Sequence, residues 1–232
     1  MDLLVSHTWL RGLLLRLLGL ITGLGLLVEL VYARWRPSGL GPVLGFLSLS
    51  YEQNLPTWYA SGLLLCCALV LAAIAREAAL TGASHRRHWW GLAATFLYLS
   101  LDEAVGLHEH LGGGLELPGV LYFSWVVPAA VAVGVFGLLY LPFLAHLSVR
   151  SRWQFLAAGV IYVTGALGME LPLGYWTERH GNDNLVYALI DLVEESLELL
   201  GVSLFLVALV EYLGARVRVT LASPERQGSS GS

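Results

Sequence analysis

Six stretches of about twenty or more mainly apolar residues, at roughly 12–33, 56–75, 89–111, 118–145, 153–173 and 185–213, dominate this sequence. A helix crosses the hydrocarbon core of a bilayer in about 20 residues. The stretches therefore predict an all-α, polytopic membrane protein. It is a bundle of six transmembrane helices forming a single domain over residues 1–227. Residues 228–232, GSSGS, read as an appended tag and are set aside. Only 13% of the residues are charged, about half the share usual in a soluble domain.

The first stretch follows Arg11 and Arg16 but is too long for a signal peptide and lacks an A-x-A cleavage site, so it is expected to span. NLPTWYAS (54–61) reads as a helix start, with Pro56 in the first turn and Trp58 and Tyr59 at the interface. Pro128 and Pro142 are expected to bend the fourth span. Cys66 and Cys67 are adjacent in an apolar run and read as small packing residues. Gly19 and Gly23 have the small-xxx-small spacing, which permits close packing within the chain or in a homo-oligomer.

Arginines set the orientation, since the chain has no lysine. With the N-terminus inside, Arg11, Arg16, Arg76, Arg86, Arg87, Arg150, Arg152, Arg216, Arg218 and Arg226 lie inside. Only Arg34, Arg36 and Arg179 lie outside. Ten against three places both termini in the cytoplasm. The expected location is a cell, or inner, membrane.

That orientation brings ten carboxylates to the outer half of the bundle: Glu29, Glu52, Asp102, Glu103, Glu109, Glu170, Asp191, Glu194, Glu195 and Glu198. No arginine is expected among them. At about 100° per residue, Asp191, Glu194, Glu195 and Glu198 share one face of the sixth span. Asp102 and Glu109 form one line on the third span, and Glu103 and His110 form a second. Glu211 points away at the inner end and is expected to be a solvated anchor. An acid at the bilayer centre costs about 2.5–3.5 kcal/mol, so four on one helix cost on the order of 10 kcal/mol. Intramembrane acids face inward and mark functional sites. Like charges this close need a counter-charge, whether metal, protons or a cationic substrate.

The histidines receive plainer readings. His85 and His88 belong to a basic loop and are expected to be solvated, as is His180. His146 ends the fourth span with no evident partner. His108 is expected to be a helix-end cap rather than a ligand.

HEHLG (108–112) is not the zinc-protease HExxH, because its fifth residue is Gly112. Haem would need histidines facing one another across helices, and only the third span carries histidines at membrane depth. No GxSxG, P-loop or dinucleotide-binding fingerprint occurs. Ser100, Asp102 and His108 resemble the Ser/Asp/His residues of membrane hydrolases such as alkaline ceramidases and adiponectin receptors. That resemblance implies a zinc-dependent amidase. It covers one short stretch, and the late-helix His-x-x-x-His of those hydrolases has no counterpart here.

Two functions fit the acidic layer. The first is a membrane metalloenzyme, an oxidoreductase or hydrolase acting on a lipid or other apolar substrate. Its mono- or dimetal site would be Glu103, Glu109, His110, Glu170, Glu194, Glu195 and Glu198, in a cavity facing the outer, periplasmic side. Asp102, Asp191, Glu52 and His108 would orient ligands or relay protons. Oxygen ligands with one imidazole favour Fe, Mn or Zn, with Ca or Mg as alternatives. The second function is a divalent-cation or proton-coupled transporter using the same acids. The expected partners are membrane lipid and metal ion. Nucleic acid is not expected, because there is no soluble domain.

Overall fold

The computed structural model describes residues 7–35, 39, 41–108 and 117–214. Among them there are helices and no strands. The helices are α1 (His7–Trp35), α2 (Gly41–Leu47), α3 (Leu55–Leu80), α4 (Arg86–Val105), α5 (Val126–His146), α6 (Val149–Val163), α7 (Glu170–His180) and α8 (Leu185–Gly214). A 3₁₀ turn at Gly119–Leu121 precedes α5, and a π-helical turn at Thr164–Met169 joins α6 to α7.

Five helical rods are long and apolar enough to cross a membrane: α1, α3, α5, α6 continued through α7, and α8. The long α4 carries two arginines at its start and Asp102 and Glu103 near its end, which lower its apolarity. Their periphery is apolar as well. Leu20, Leu27, Leu69, Val131, Leu138, Leu139 and Val160 are all exposed, as expected of helices whose backbone groups are satisfied internally and whose side chains face lipid.

Local chemistry fixes the helix ends. Asn54 Oδ1 accepts the Thr57 N–H at 3.1 Å and Pro56 occupies the first turn of α3, where its missing N–H costs nothing. Ser148 Oγ accepts the Ser151 N–H at 3.2 Å to start α6. Arg152 closes α5 by donating from Nε to Leu144 O and from Nη2 to Ala145 O, at 2.9 and 2.7 Å. Gly106 ends α4 with φ +64°, and its N–H bonds Asp102 O at 2.7 Å, the left-handed stop that glycine makes without strain.

Several boundaries differ from those expected. The third span stops at Val105 rather than near 111 because of the Gly106 cap. Glu109 and His110, the far ends of the two lines of side chains expected on that span, lie outside the described residues. The fourth span starts at Val126, so Pro128 falls in the first turn and only Pro142 lies inside the helix. The fifth runs from Val149 to His180 and is interrupted by the π turn. Pro172, just beyond that turn, has no N–H to offer Gly168 O and its ring opposes that carbonyl, a standard cause of widened helical turns.

The helix α8 is the axis of the packing. Leu199 and Leu209 are fully buried, with Cys67, Leu71 and Ile74 of α3, Phe155 of α6 and Trp89 of α4 in the same core. Phe96 and Phe205 stack with centroids 4.8 Å apart. Two glycines bring α6 and its continuation against α8. A side chain at Gly201 would lie 2.7 Å from Tyr162 N, and one at Gly165 would lie 2.9 Å from Glu194 O. Gly19 and Gly23, by contrast, meet no other described part of the chain.

Successive long helices run antiparallel, which gives the bundle two chemically distinct ends. At one end, His85 stacks on His146 and Arg150 pairs with Glu211 at 2.7 Å. Glu211, read as a solvated anchor, is thus tied to α6, and Gln154 Nε2 also donates to it at 2.9 Å. The acids gather towards the other end.

Candidate functional site

The acidic layer is assembled from five segments. Glu29 of α1 accepts the Ser48 hydroxyl. The loop carrying Glu52 is shaped by Asn54, whose Nδ2 donates to Ser48 O and Tyr51 O, each at 2.7 Å. Asp102 and Glu103 end α4, Glu170 begins α7, and Asp191, Glu194, Glu195 and Glu198 line one side of α8.

These carboxyl groups lie close enough to act on one another. Glu103 stands within electrostatic reach of Glu52, Asp102 and His108. Glu195 faces the charges of Glu198, Glu103, Asp191 and Glu52, and Glu198 those of Glu103, Glu194, Glu170 and Asp191. Asp191 lies near Glu29 and Glu52. Tyr162 of α6 sits among Glu198, Glu103, Glu195 and Asp102. At the margin, burial and the Glu29 charge push the Tyr51 phenol up.

Burial makes the arrangement costly. Glu29, Glu170 and Glu194 are only 7%, 9% and 7% exposed. Glu194 Oε2 is buried and makes no hydrogen bond with any described residue, while Ser50 stands within hydrogen-bonding reach of the Asp191 carboxyl group. The arginines described at this end are engaged elsewhere. Arg179 donates to Glu178 at 3.0 Å and lies 3.6 Å above the Tyr175 ring, and Arg34 lies 5.8 Å from the Trp35 ring. Among the described residues, no ion pair joins an arginine to the acidic layer.

Two aromatic and imidazole groups hold the layer's rim. Trp125 Nε1 donates to Glu170 Oε1 at 3.2 Å. His108 contacts both oxygens of Asp102 and packs on Trp125 with centroids 4.7 Å apart. His108 is thus bound to the layer's edge, a more definite place than a helix-end cap. Trp125, Tyr162 and Ser48 carried no sequence signal, because an aromatic residue in a span or a polar residue in a loop is ordinary.

The serine-aspartate-histidine grouping is not assembled. Ser100 Oγ donates to Ser61 O at 2.9 Å, across the α3–α4 seam, while Asp102 turns to His108. Among the described residues, no three of the His, Cys, Asp and Glu side chains already stand as a metal-ligating group. What the layer offers is oxygen donors, Glu194 Oε2 among them buried with no partner among the described residues, a donor set that suits a hard or borderline cation.

Membrane-length apolar helices wrapped around a buried layer of acids define a helical-bundle protein of the membrane type. The chain belongs to the family described as a domain of unknown function (DUF8692), which it matches over residues 12–212. That match begins within α1 and ends two residues before the end of α8. No curated protein and no solved structure matches the chain.

Proposed function

We propose that this chain is an integral membrane metal-binding protein, and that its acidic layer is the metal site of an enzyme acting on a lipid or other apolar substrate. In this reading α4 is a sixth span, both termini are cytoplasmic and the acids face the outer side of an inner membrane. The observation that carries it is the set of buried carboxylates, with a Glu194 oxygen that has no partner and no ion pair to an arginine among the described residues. Desolvating several like charges is sustainable only with a compensating cation or protons.

Glu103, Glu195 and Glu198 would hold the cation, with Glu170 and Glu194 beside them and Glu109 and His110 as further donors. Such an ion supplies Lewis acidity and an acidified bound water. The chain's own residues do the positioning: Trp125 fixes Glu170 and His108 fixes Asp102. The exposed apolar side chains of Tyr98 and Leu101 beside Asp102 favour approach from the lipid side.

The core next to the acids favours an enzyme over a transporter. Leu199, Val202, Phe205, Leu206 and Leu209 fill α8 below Glu198, and the Phe96–Phe205 stack closes the same level. A transport path would have to cross this packed apolar block.

Elemental analysis of purified wild type beside Glu103→Gln and Glu195→Gln tests the reading. Stoichiometric Fe, Mn or Zn in wild type, lost in both variants, is the expected result. Wild type without stoichiometric metal overturns it, and cation uptake into proteoliposomes would replace it with transport.

A further inference from the structure

The opposite end of the bundle holds a second polar feature that the acidic layer does not use. His85, Arg86, Arg87, His88 and Ala83 line an open cavity of about 350 Å³. The back of this cavity is aromatic and imidazole. His85 stacks on His146 with centroids 4.5 Å apart and meets His88 at 5.1 Å. His88 stacks on Phe143 at 5.6 Å, nearly parallel. The Nδ1 atoms of His85 and His88 are buried and make no hydrogen bond with any described residue. Arg86 and Arg87 are exposed, and among the described residues neither forms an ion pair. Arg150 and Arg152, at the start of α6, are committed to Glu211 and to the carbonyls that end α5 respectively. No side chain caps the first turn of α4 here.

The depth of the cavity identifies its ligand. Trp90, one turn into α4, and Trp153, one turn into α6, are both exposed. Exposed tryptophans near helix ends mark the level of lipid headgroups. Two free guanidinium groups at that level, with two imidazole nitrogens behind them, suit an anion of phosphate size and geometry.

We propose that this cavity is a binding site for the headgroup phosphate of an anionic phospholipid. Arg86 and Arg87 engage the phosphate oxygens at the mouth, and the His85/His88/His146 cluster forms the floor. The acyl chains lie along the exposed apolar surface of α5. This site is independent of the acidic layer and stands or falls without it.

The test uses the full chain in a neutral detergent, titrated with phosphatidylglycerol, with phosphatidylcholine and with inorganic phosphate, and read by native mass spectrometry. A positive side chain near an anionic lipid surface is worth about fivefold in affinity, so a pair is worth about 30-fold. Wild type should retain one phosphatidylglycerol in preference to phosphatidylcholine. The Arg86→Gln/Arg87→Gln variant should lose about 30-fold in affinity. The Arg11→Gln/Arg16→Gln variant, which removes two exposed arginines at the same end of the bundle, should bind as wild type does. Both substitutions lie on exposed positions, and an unchanged unfolding temperature confirms that each variant is folded. Unaltered lipid binding by the Arg86/Arg87 variant overturns the proposal, as does equal loss in both variants. Displacement of the lipid by equimolar inorganic phosphate also overturns it, by showing the site to be one for a soluble anion.

Discussion

Asp102 Oδ1 accepts the backbone N–H of His108 at 2.8 Å, while its Oδ2 lies 3.1 Å from the His108 Nδ1. One carboxylate thus holds the first residues after α4 by both main chain and side chain. Asp102→Ala leaves a partly buried N–H without its acceptor, at a cost of about 1–3 kcal/mol. Asp102→Asn keeps an acceptor for that N–H and should cost well under half as much. Thermal unfolding of both variants in detergent measures the difference. Equal losses would mean that the pair is incidental.

The acidic layer should be a stability liability when no cation is present. Glu198 faces Glu103, Glu194, Glu170 and Asp191, so Glu198→Gln removes one member of a mutually repelling set. After chelation, the variant should unfold later than wild type by several degrees, corresponding to about 1–3 kcal/mol. With Fe, Mn or Zn supplied, the order should reverse. A variant less stable than wild type in both states would contradict this account.

His85 sits at φ +64°, a conformation that costs a side chain with a Cβ about 1–2 kcal/mol. Burial, His146 and His88 push its imidazole below its ordinary value. The titratable groups that act on it are His146 of α5 and His88 of α4, neither of them acidic, and Arg86 and Arg87 line the same cavity. The unfolded chain therefore binds a proton more readily than the folded one. Stability is full above the unfolded value of about 6.5 and falls as pH drops through it. His85→Gly should raise the unfolding temperature at pH 7 and flatten its decline towards pH 5. An unchanged pH slope would assign the acid sensitivity to other groups.

The contact of α6 with α8 depends on the absence of side chains. Gly201→Ala would place a carbon 2.7–2.8 Å from the backbone of Tyr162, and backbone cannot step aside as a flexible side chain can. A loss of about 2–3 kcal/mol is expected. Gly134→Ala and Gly137→Ala on α5 meet nothing within 4 Å and should be neutral or slightly stabilising, because alanine favours helix. Circular-dichroism melts of the three variants make the comparison.

Much of this architecture was legible in the residues because lipid simplifies the code. Long apolar runs give the helices, and Asp191, Glu194, Glu195 and Glu198 share a face through helical spacing alone. Their meeting with Glu103 and Glu170 followed from counting depth along antiparallel rods. What stayed hidden depends on single residues or on distant contacts. Gly106 cut α4 short because a glycine within an apolar run carries no signal that it will turn left-handed. His85 and His146 meet across 61 positions of sequence, so neither shows its partner locally. The bond of His108 to Asp102 was not legible because it requires the chain to leave the helix at Gly106 and fold back.

The wide turn at Thr164–Met169 acts as a phase shifter within one continuous rod. A residue added to regular α-helical winding rotates everything beyond it by about 100°. The lower part of the rod keeps the azimuth that seats Tyr162 against Gly201, while the upper part is indexed separately so that Glu170 looks into the bundle. The packing face and the chemical face can therefore vary independently along one helix. A one-residue deletion in this turn would leave the lower seam intact while swinging Glu170 out towards the lipid.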